Sequence, residues 1–225
     1  MTTEARRVGF LLLPGTHPGA MMPALSVLLS ANRMAEQQRY VPETYTLDAN
    51  ALTASDGLSL AAAPWQQCAS GLAQLWLVAD QLPASDDMPK ALLAFLQQAL
   101  AAGVFLGGLE AGVAGLAVAG LLDQRRCAVH WRMLDEFRER FPDVEATTHL
   151  FELGDGFGSS SGGQATTDLF LTLLAQEQGQ DLAALVAEDL VVERIRDGSE
   201  RQRMPLRNRL GSSHPKLTQA VILME

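Results

Sequence analysis

The stretch that decides the fold is Val104–Gly120, VFLGGLEAGVAGLAVAG. A short apolar strand runs through two glycines straight into a helix of small residues. The tight turn between them pushes the side chain at its apex into a cleft at the carboxyl end of a sheet. That apex residue is Glu110. A serine or cysteine there would mark a nucleophile, whereas a carboxylate attacks amides and esters weakly and offers no thiol or hydroxyl to activate. The turn has the form of a catalytic site without its nucleophile.

Outward from this turn the same strand and helix alternation recurs. Arg7–Leu13 is a compact apolar run closed by the Pro14–Gly19 loop, and the following segment, Met21–Gln38, reads as a helix. Glu43–Leu47 alternates as a strand, Leu52–Leu60 with Asp56-Gly57 at its centre reads as a hairpin, and Leu75–Val78 is a buried strand. Met88–Ala102 places Leu92, Leu93, Leu96 and Leu100 on one helical face, stopped by Gly103. Beyond the Ala111–Ala119 helix come a strand in CAVHW, a helix over Trp131–Phe141, and short strands at His149–Leu153 and Gly158–Ser161. A helix entered through Gly162-Gly163 then runs to Gln178, and a last amphipathic helix spans Asp181–Val192. The pattern predicts an α/β fold of the flavodoxin-like kind, a mostly parallel sheet with helices on both faces.

Composition bounds the function. A chain of 225 residues accommodates one large α/β domain and a tail, and 48% hydrophobic against 19% charged residues fits a globular protein. No apolar run reaches the roughly 20 residues of a membrane span, and FLLL near the N-terminus is too short for a secretory signal. Cys68 and Cys127 alone require neither a disulfide framework nor a metal site, which makes a reducing cytoplasm the expected location. A net charge of -9 argues against a nucleic-acid surface on the body of the chain. Glu193–Arg209 differs, with Arg194, Arg196, Arg201, Arg203, Arg207 and Arg209 against three acids.

Because parallel sheets bind ligands beyond the carboxyl ends of their strands, Gly15–Pro18, Asp80, Glu110, His130 and Ser161–Gln164 are expected to converge. The N–H groups of Ala111 and Gly112 open a helix and are candidates to receive an anionic group, while Glu110 is a candidate for a cationic one. Glu110 reads equally as a carboxylate at a helix N-terminus, where the dipole favours it by roughly 0.3 to 1 kcal/mol. His130, at a strand end beside the turn, is read as a pocket residue, with a structural histidine as the alternative. Trp131 offers an aromatic face to a cation or packs in the core. Gly163 enters a helix near the pocket. His17, in a loop at the same sheet edge, is read as a solvated residue; His149 and His214 have no partners at metal spacing, and no Walker or dinucleotide fingerprint is present, so neither metal nor cofactor is expected.

Several motifs then fall in one order: LLLPG at 11–15, SANR at 30–33, GGLEAG at 107–112, AGLLD at 119–123, His130-Trp131, and SSGG ahead of Asp168. In these the chain resembles the PfpI-type, glutamine-amidotransferase-like sensor domain of AraC-family transcriptional regulators, across nearly its whole length. The tail RQRMPLRNRLGSSHPKLTQAVILME resembles the segment that joins such a sensor to its DNA-binding domain, and is most similar to the arginine-responsive members. Two departures from the enzymatic relatives stand out: those carry cysteine where this chain has Glu110, and a supporting glutamate where alignment through SANR places Ser26. The resemblance implies a binding pocket derived from an enzyme site, for a cationic amino acid or a quaternary amine. It also implies a homodimer that reaches DNA through a C-terminal domain absent from this chain. The expected division is a sensing domain over 1–193, and over 194–225 a linker with the start of a truncated DNA-binding region. Two other functions remain open at this level: a hydrolase using Glu110 and His130 on water, and a dimerisation module with a relic pocket.

Overall fold

The computed structural model describes residues 5–14, 16–47, 51–53, 57–68, 71–84 and 88–203. The chain runs through β1 (Arg6–Leu12), α1 (Met22–Met34), β2 (Tyr40–Thr46), β3 (Ala51–Thr53), β4 (Ser59–Ala61) and β5 (Ala63–Pro64). It continues with β6 (Leu72–Ala79), α2 (Lys90–Ala101), β7 (Phe105–Glu110), α3 (Val113–Val118), β8 (Arg126–Ala128) and α4 (Leu134–Arg140). β9 (Glu145–Thr147), β10 (Phe151–Gly154), β11 (Phe157–Ser160), α5 (Gln164–Gln178) and α6 (Gln180–Asp189) complete it. Seven strands form one sheet in the order β10-β11-β7-β6-β1-β2-β5, parallel throughout except for the antiparallel edge strand β10. The parallel α/β fold with helices on both faces is therefore the one expected.

Alternation along the central strands divides the core in two. Val8, Phe10 and Leu12 of β1, with Trp76 and Val78 of β6, pack under α1, α5 and α6 through Val27, Phe170, Leu173 and Val186. Leu11, Leu75 and Leu77 face the opposite side, against Leu92 and Leu96 of α2, Leu116 of α3 and Phe137 of α4. Each strand of the middle of the sheet thus buries both faces, which is why these runs read as continuously apolar.

Several sequence-based boundaries shift. Helix α1 stops at Met34 rather than Gln38: Glu36 has φ of 49°, and the Asn32 side chain bonds Arg39 N–H, Tyr40 N–H and the Tyr40 carbonyl, turning the chain into β2. The last helix ends at Asp189 rather than Val192, since Val191 adopts φ of 55°. The expected hairpin at 52–60 is the antiparallel pair β3 and β4, although Asp56 lies outside the described residues. Trp131–Phe141 is helical only from Leu134, because residues 131–133 form a turn in which Met133 N–H donates to the His130 carbonyl.

The strand in CAVHW is the larger correction. β8 ends at Ala128 and pairs in parallel with β9 in a separate two-stranded sheet. Its Ala128 N–H donates to the Ser159 hydroxyl of β11 at 2.8 Å, a side-chain bond where sheet extension would need a backbone carbonyl. The edge beside β11 is taken instead by β10, folded back through the Asp155-Gly156 turn.

Residues just past the expected boundary at 193 bond back to the domain. Leu150 N–H donates to the carbonyls of Gly198 and Glu200, and Gln202 N–H to that of Thr148 at 3.0 Å. Residues 195–203 return to the domain instead of leaving it. The expected linker and DNA-binding start beyond them, 204–225, lie outside the described residues.

Candidate functional site

β7 delivers Glu110 to the carboxyl edge of the sheet, and the turn after it is built of constraints. Glu110 itself has φ of 54°, a conformation that costs a non-glycine residue about 1–3 kcal/mol and that persists only where its surroundings enforce it. The enforcement is visible in β6, whose Ala79 pairs with Glu110 and whose Ala79 carbonyl accepts the Ala111 N–H at 2.7 Å. Gly112 N–H donates to the Leu109 carbonyl at 2.9 Å, and a Cβ on Gly112 would lie 2.1 Å from the Leu77 carbonyl oxygen. Here the sequence reading is corrected: both amides are already bonded to the backbone, so neither Ala111 nor Gly112 is available to receive an anion.

The Glu110 side chain is half-buried and lies against the loop that enters α5. It accepts the Gly163 N–H, and a Cβ on Gly162 would stand 2.4 Å from Glu110 Cγ, so only glycine fits there. Burial raises the Glu110 pKa, the nearby Asp80 carboxylate raises it further, and the Gly163 bond opposes both. Asp80 in turn accepts the His17 N–H at 3.2 Å. Among the described residues neither carboxylate has a cationic partner. Two acids at one sheet edge without a counter-charge form a site electrostatically suited to a cation.

A cleft of about 320 Å³ opens beside Glu110, and His130, Trp131, Ser161, Gly162, Gly163 and Gln164 line it. Glu110, His130 and Ser161–Gln164 thus come together as expected; His17 and Asp80, bonded to each other, are not among the lining residues, and Gly15 lies outside the described residues. His130 accepts the Arg132 N–H on Nδ1 at 3.2 Å, and burial followed by the Arg132 charge lowers its pKa. No hydrogen bond joins His130 to Glu110 among the described residues. Trp131 carries the Arg132 guanidinium 5.3 Å from its ring centroid, so one aromatic face is already in use. Ser26, where the resemblance places the relatives' supporting glutamate, is exposed on α1 and is absent from the cleft lining.

Sequence reasoning missed the opposite wall. Arg196, Gln202 and Arg203 line the cleft from the returning segment. Arg196 is fixed by Asp168, a fully buried residue of α5, with Nη2 at 2.6 Å and Nε at 2.8 Å from Oδ2, while Arg196 N–H donates to Oδ1 at 3.1 Å. Gln202 uses its whole amide: Nε2 donates to the carbonyls of Val129 and His149 at 2.8 and 3.0 Å, and Oε1 accepts the Trp131 N–H at 2.9 Å. One signal for this wall was available, the lone acid Asp168 inside the apolar helix ATTDLFLTLL, which demands a buried partner.

Thiol chemistry has no place in the cleft. Burial pushes the Cys68 thiol up to about 11 and that of Cys127 to about 12, and neither lines the site. No group of three potential metal-ligating side chains occurs among the described residues, and no helix among them is long and apolar enough to cross a membrane.

No family model matches the chain. It is 47% identical over 225 residues to the HTH-type transcriptional regulator ArgR of Pseudomonas aeruginosa, an alignment covering all of this chain and 67% of that protein. Among solved structures it is similar to an AraC family transcriptional regulator from Pseudomonas putida, with TM-score 0.73 and 27% identity over 82% of this chain and 99% of that one. A ThiJ/PfpI family protein from Pseudomonas syringae superposes with TM-score 0.73 over 99% of this chain and 86% of that one, at 16% identity, which speaks to the fold. The chain spans between 59% and 67% of the length of the first curated relatives it matches.

Proposed function

The chain belongs to the AraC-like HTH-type transcriptional regulators, as a domain of PfpI-type fold, and from that premise we propose that its Glu110 cleft senses a small cationic metabolite. The single observation that carries this reading is Glu110, half-buried at the cleft, with the Asp80 charge near enough to raise its pKa and no cationic partner for either acid among the described residues. A cationic amino acid or a quaternary amine would supply it. Binding that favours one conformation of the domain would bias the DNA-binding portion that such regulators carry elsewhere in the chain. The same reading carries a cytoplasmic location and a homodimer, the arrangement that matches paired DNA half-sites.

A hydrolase is the weaker reading. Glu110 has no bond to His130 that would order a base, and the two amides after the apex, which would hold a developing oxyanion, are spent on Ala79 and Leu109. The test is thermal unfolding of the 225-residue chain across amino acids and quaternary amines. At free ligand a hundredfold above its Kd the native state gains about 2.7 kcal/mol, a rise of roughly 5–10 °C for a domain of this size. Glu110→Gln should abolish that rise. A flat response to every cationic compound would sink the reading.

A further inference from the structure

The end of α6 is capped in a geometry that glycine ordinarily serves. Val192 N–H donates to the Ala187 carbonyl at 2.8 Å and Val191 N–H to that of Glu188 at 3.0 Å, the paired bonds of a helix end that turns through a left-handed residue. That residue is Val191, at φ of 55°, where a β-branched side chain is a steric outlier. It is 91% exposed, so no packing compensates the conformation. Strain of this kind persists where the surrounding structure imposes it. Here the constraint comes from both sides.

On the helix side α6 is fixed to α1: Asp189 Oδ2 accepts the hydroxyl of the buried Ser30 at 2.5 Å and Arg33 Nη2 at 2.6 Å. On the other side, residues 194–200 are bonded among themselves. Arg194 meets both Glu200 carboxylate oxygens at 2.7 and 2.8 Å, Asp197 N–H donates to Glu200 Oε1 at 3.1 Å, and Ser199 N–H donates to Asp197 Oδ1 at 2.8 Å. A segment so tied moves as one body. It rests on the domain through Arg196 on the buried Asp168, through the carbonyls of Gly198 and Glu200 on Leu150 N–H, and through Ile195 against the core. Arg196 lines two cavities, the cleft beside Glu110 and another of about 540 Å³ between β10, α5 and this segment. Lifting the segment therefore admits water to the Asp168 carboxylate instead of stranding it among apolar groups.

We propose that Val191 is a loaded hinge, about which residues 194–203 lift as a unit from the start of β10. While they are docked, the chain must leave α6 through the left-handed turn. Once they lift, Val191 returns to the extended region that a β-branched residue prefers, and the strain is gone. Val191 thus opposes the Arg196–Asp168 latch five residues further on and sets how readily it opens. The docked segment walls the two cavities off from one another; lifted, it joins them and changes the direction in which the chain continues past residue 203. The device goes beyond the sensing reading and holds whatever the cleft binds.

The experiment is residue-resolved amide exchange of the 225-residue chain and of three variants at this exposed position. Val191→Gly and Val191→Asn both accept the left-handed turn, the second without glycine's added chain freedom, whereas Val191→Ile keeps the β-branched clash. Leu150 N–H and Gln202 N–H report docking, because each bonds to a carbonyl across the contact. The glycine and asparagine variants should slow exchange of these two amides about five- to tenfold, the lower end of what relief of such strain supplies. β1, β6 and β7 should exchange as in the parent, and Val191→Ile should change nothing. Slowing confined to Val192 N–H would place the strain in the helix end alone and overturn the hinge. Equal slowing throughout the sheet would set Val191 against the whole fold and overturn it likewise, as would unchanged exchange of Leu150 and Gln202 in every variant.

Discussion

The two walls of the cleft are stabilised in opposite ways. The turn after β7 is locked by backbone: Ala111 and Gly112 donate to main-chain carbonyls, Gly112 has no room for a Cβ, and Glu110 is held at φ of 54°. Its charges are nevertheless unsatisfied, since Glu110 and Asp80 lie together without a cation among the described residues. The returning segment is the reverse. Arg196 pairs with Asp168 and Arg194 with Glu200 at 2.7 Å, and apart from Ile195, which packs against the core, the segment is held to the domain by a short series of polar anchors. A backbone-locked wall with unpaired carboxylates, beside a segment held largely by polar bonds, is a division that fits the proposed sensor. On the proposed reading, one side would present a fixed shape to a ligand and the other would report its binding.

The largest expected effect tests the rigid wall. In Gly112→Ala the new methyl would stand 2.1 Å from the Leu77 carbonyl oxygen, a clash with backbone that no side-chain rotation relieves. Overpacking ordinarily costs about 1–3 kcal/mol, and a backbone clash should exceed that, lowering the denaturation midpoint of the whole domain with amide protection lost across β6 and β7 together. A variant that unfolds within about 0.5 kcal/mol of the parent would show the turn to be pliable and remove the asymmetry between the walls.

Next in size is Arg196→Met, which removes the guanidinium from a carboxylate that is fully buried. Breaking a buried pair costs 3–5 kcal/mol, and about 3 kcal/mol is expected here because Arg196 is itself 29% exposed and its backbone N–H still serves Asp168. Its distribution matters more than its size. Hydrogen exchange should accelerate first in residues 195–203, with the central strands β1, β6 and β7 retaining their protection. Simultaneous loss of protection in both would mean that the segment is part of the cooperative core and cannot be released by itself.

This asymmetry also explains what could be read before the structure. The rigid wall was legible because its constraints are local: two glycines, a polar apex and a run of small residues occupy 14 consecutive positions from Gly107 to Gly120, and each type is demanded by a turn whose geometry is short-range. The roles given to Ala111 and Gly112 failed because the carbonyl that takes the Ala111 N–H belongs to β6, 32 residues earlier in the chain. The returning segment was illegible for the same reason, more strongly. ERIRDGSERQR has the charge pattern of a solvated linker, and its fit to the domain depends on Asp168, 28 residues before Arg196, and on carbonyls of Val129 and His149. That CAVH leaves the main sheet is illegible because an apolar run does not say which strand is its neighbour; β8 pairs with β9, and its Ala128 N–H meets the Ser159 hydroxyl instead of a backbone carbonyl of β11.

The smallest effect bears on the unsatisfied charge itself. Burial and Asp80 raise the Glu110 pKa above its ordinary 4.5, so the folded protein holds this proton more tightly than the unfolded chain does. Below about pH 4 both states are protonated and the group contributes no difference. As the pH climbs past 4.5 the unfolded chain releases its proton first, and native stability falls until the folded pKa is passed, beyond which the penalty stays constant. Glu110→Gln keeps an oxygen for the Gly163 N–H and removes the charge. The variant should therefore melt higher than the parent near pH 7, with the difference closing on acidification toward pH 4, and it should lose the ligand-induced rise. A gain that persists unchanged at about pH 4 would trace the effect to packing rather than to charge. A loss of stability near neutrality would mean that Glu110 is already compensated, and the two walls would then differ in rigidity alone.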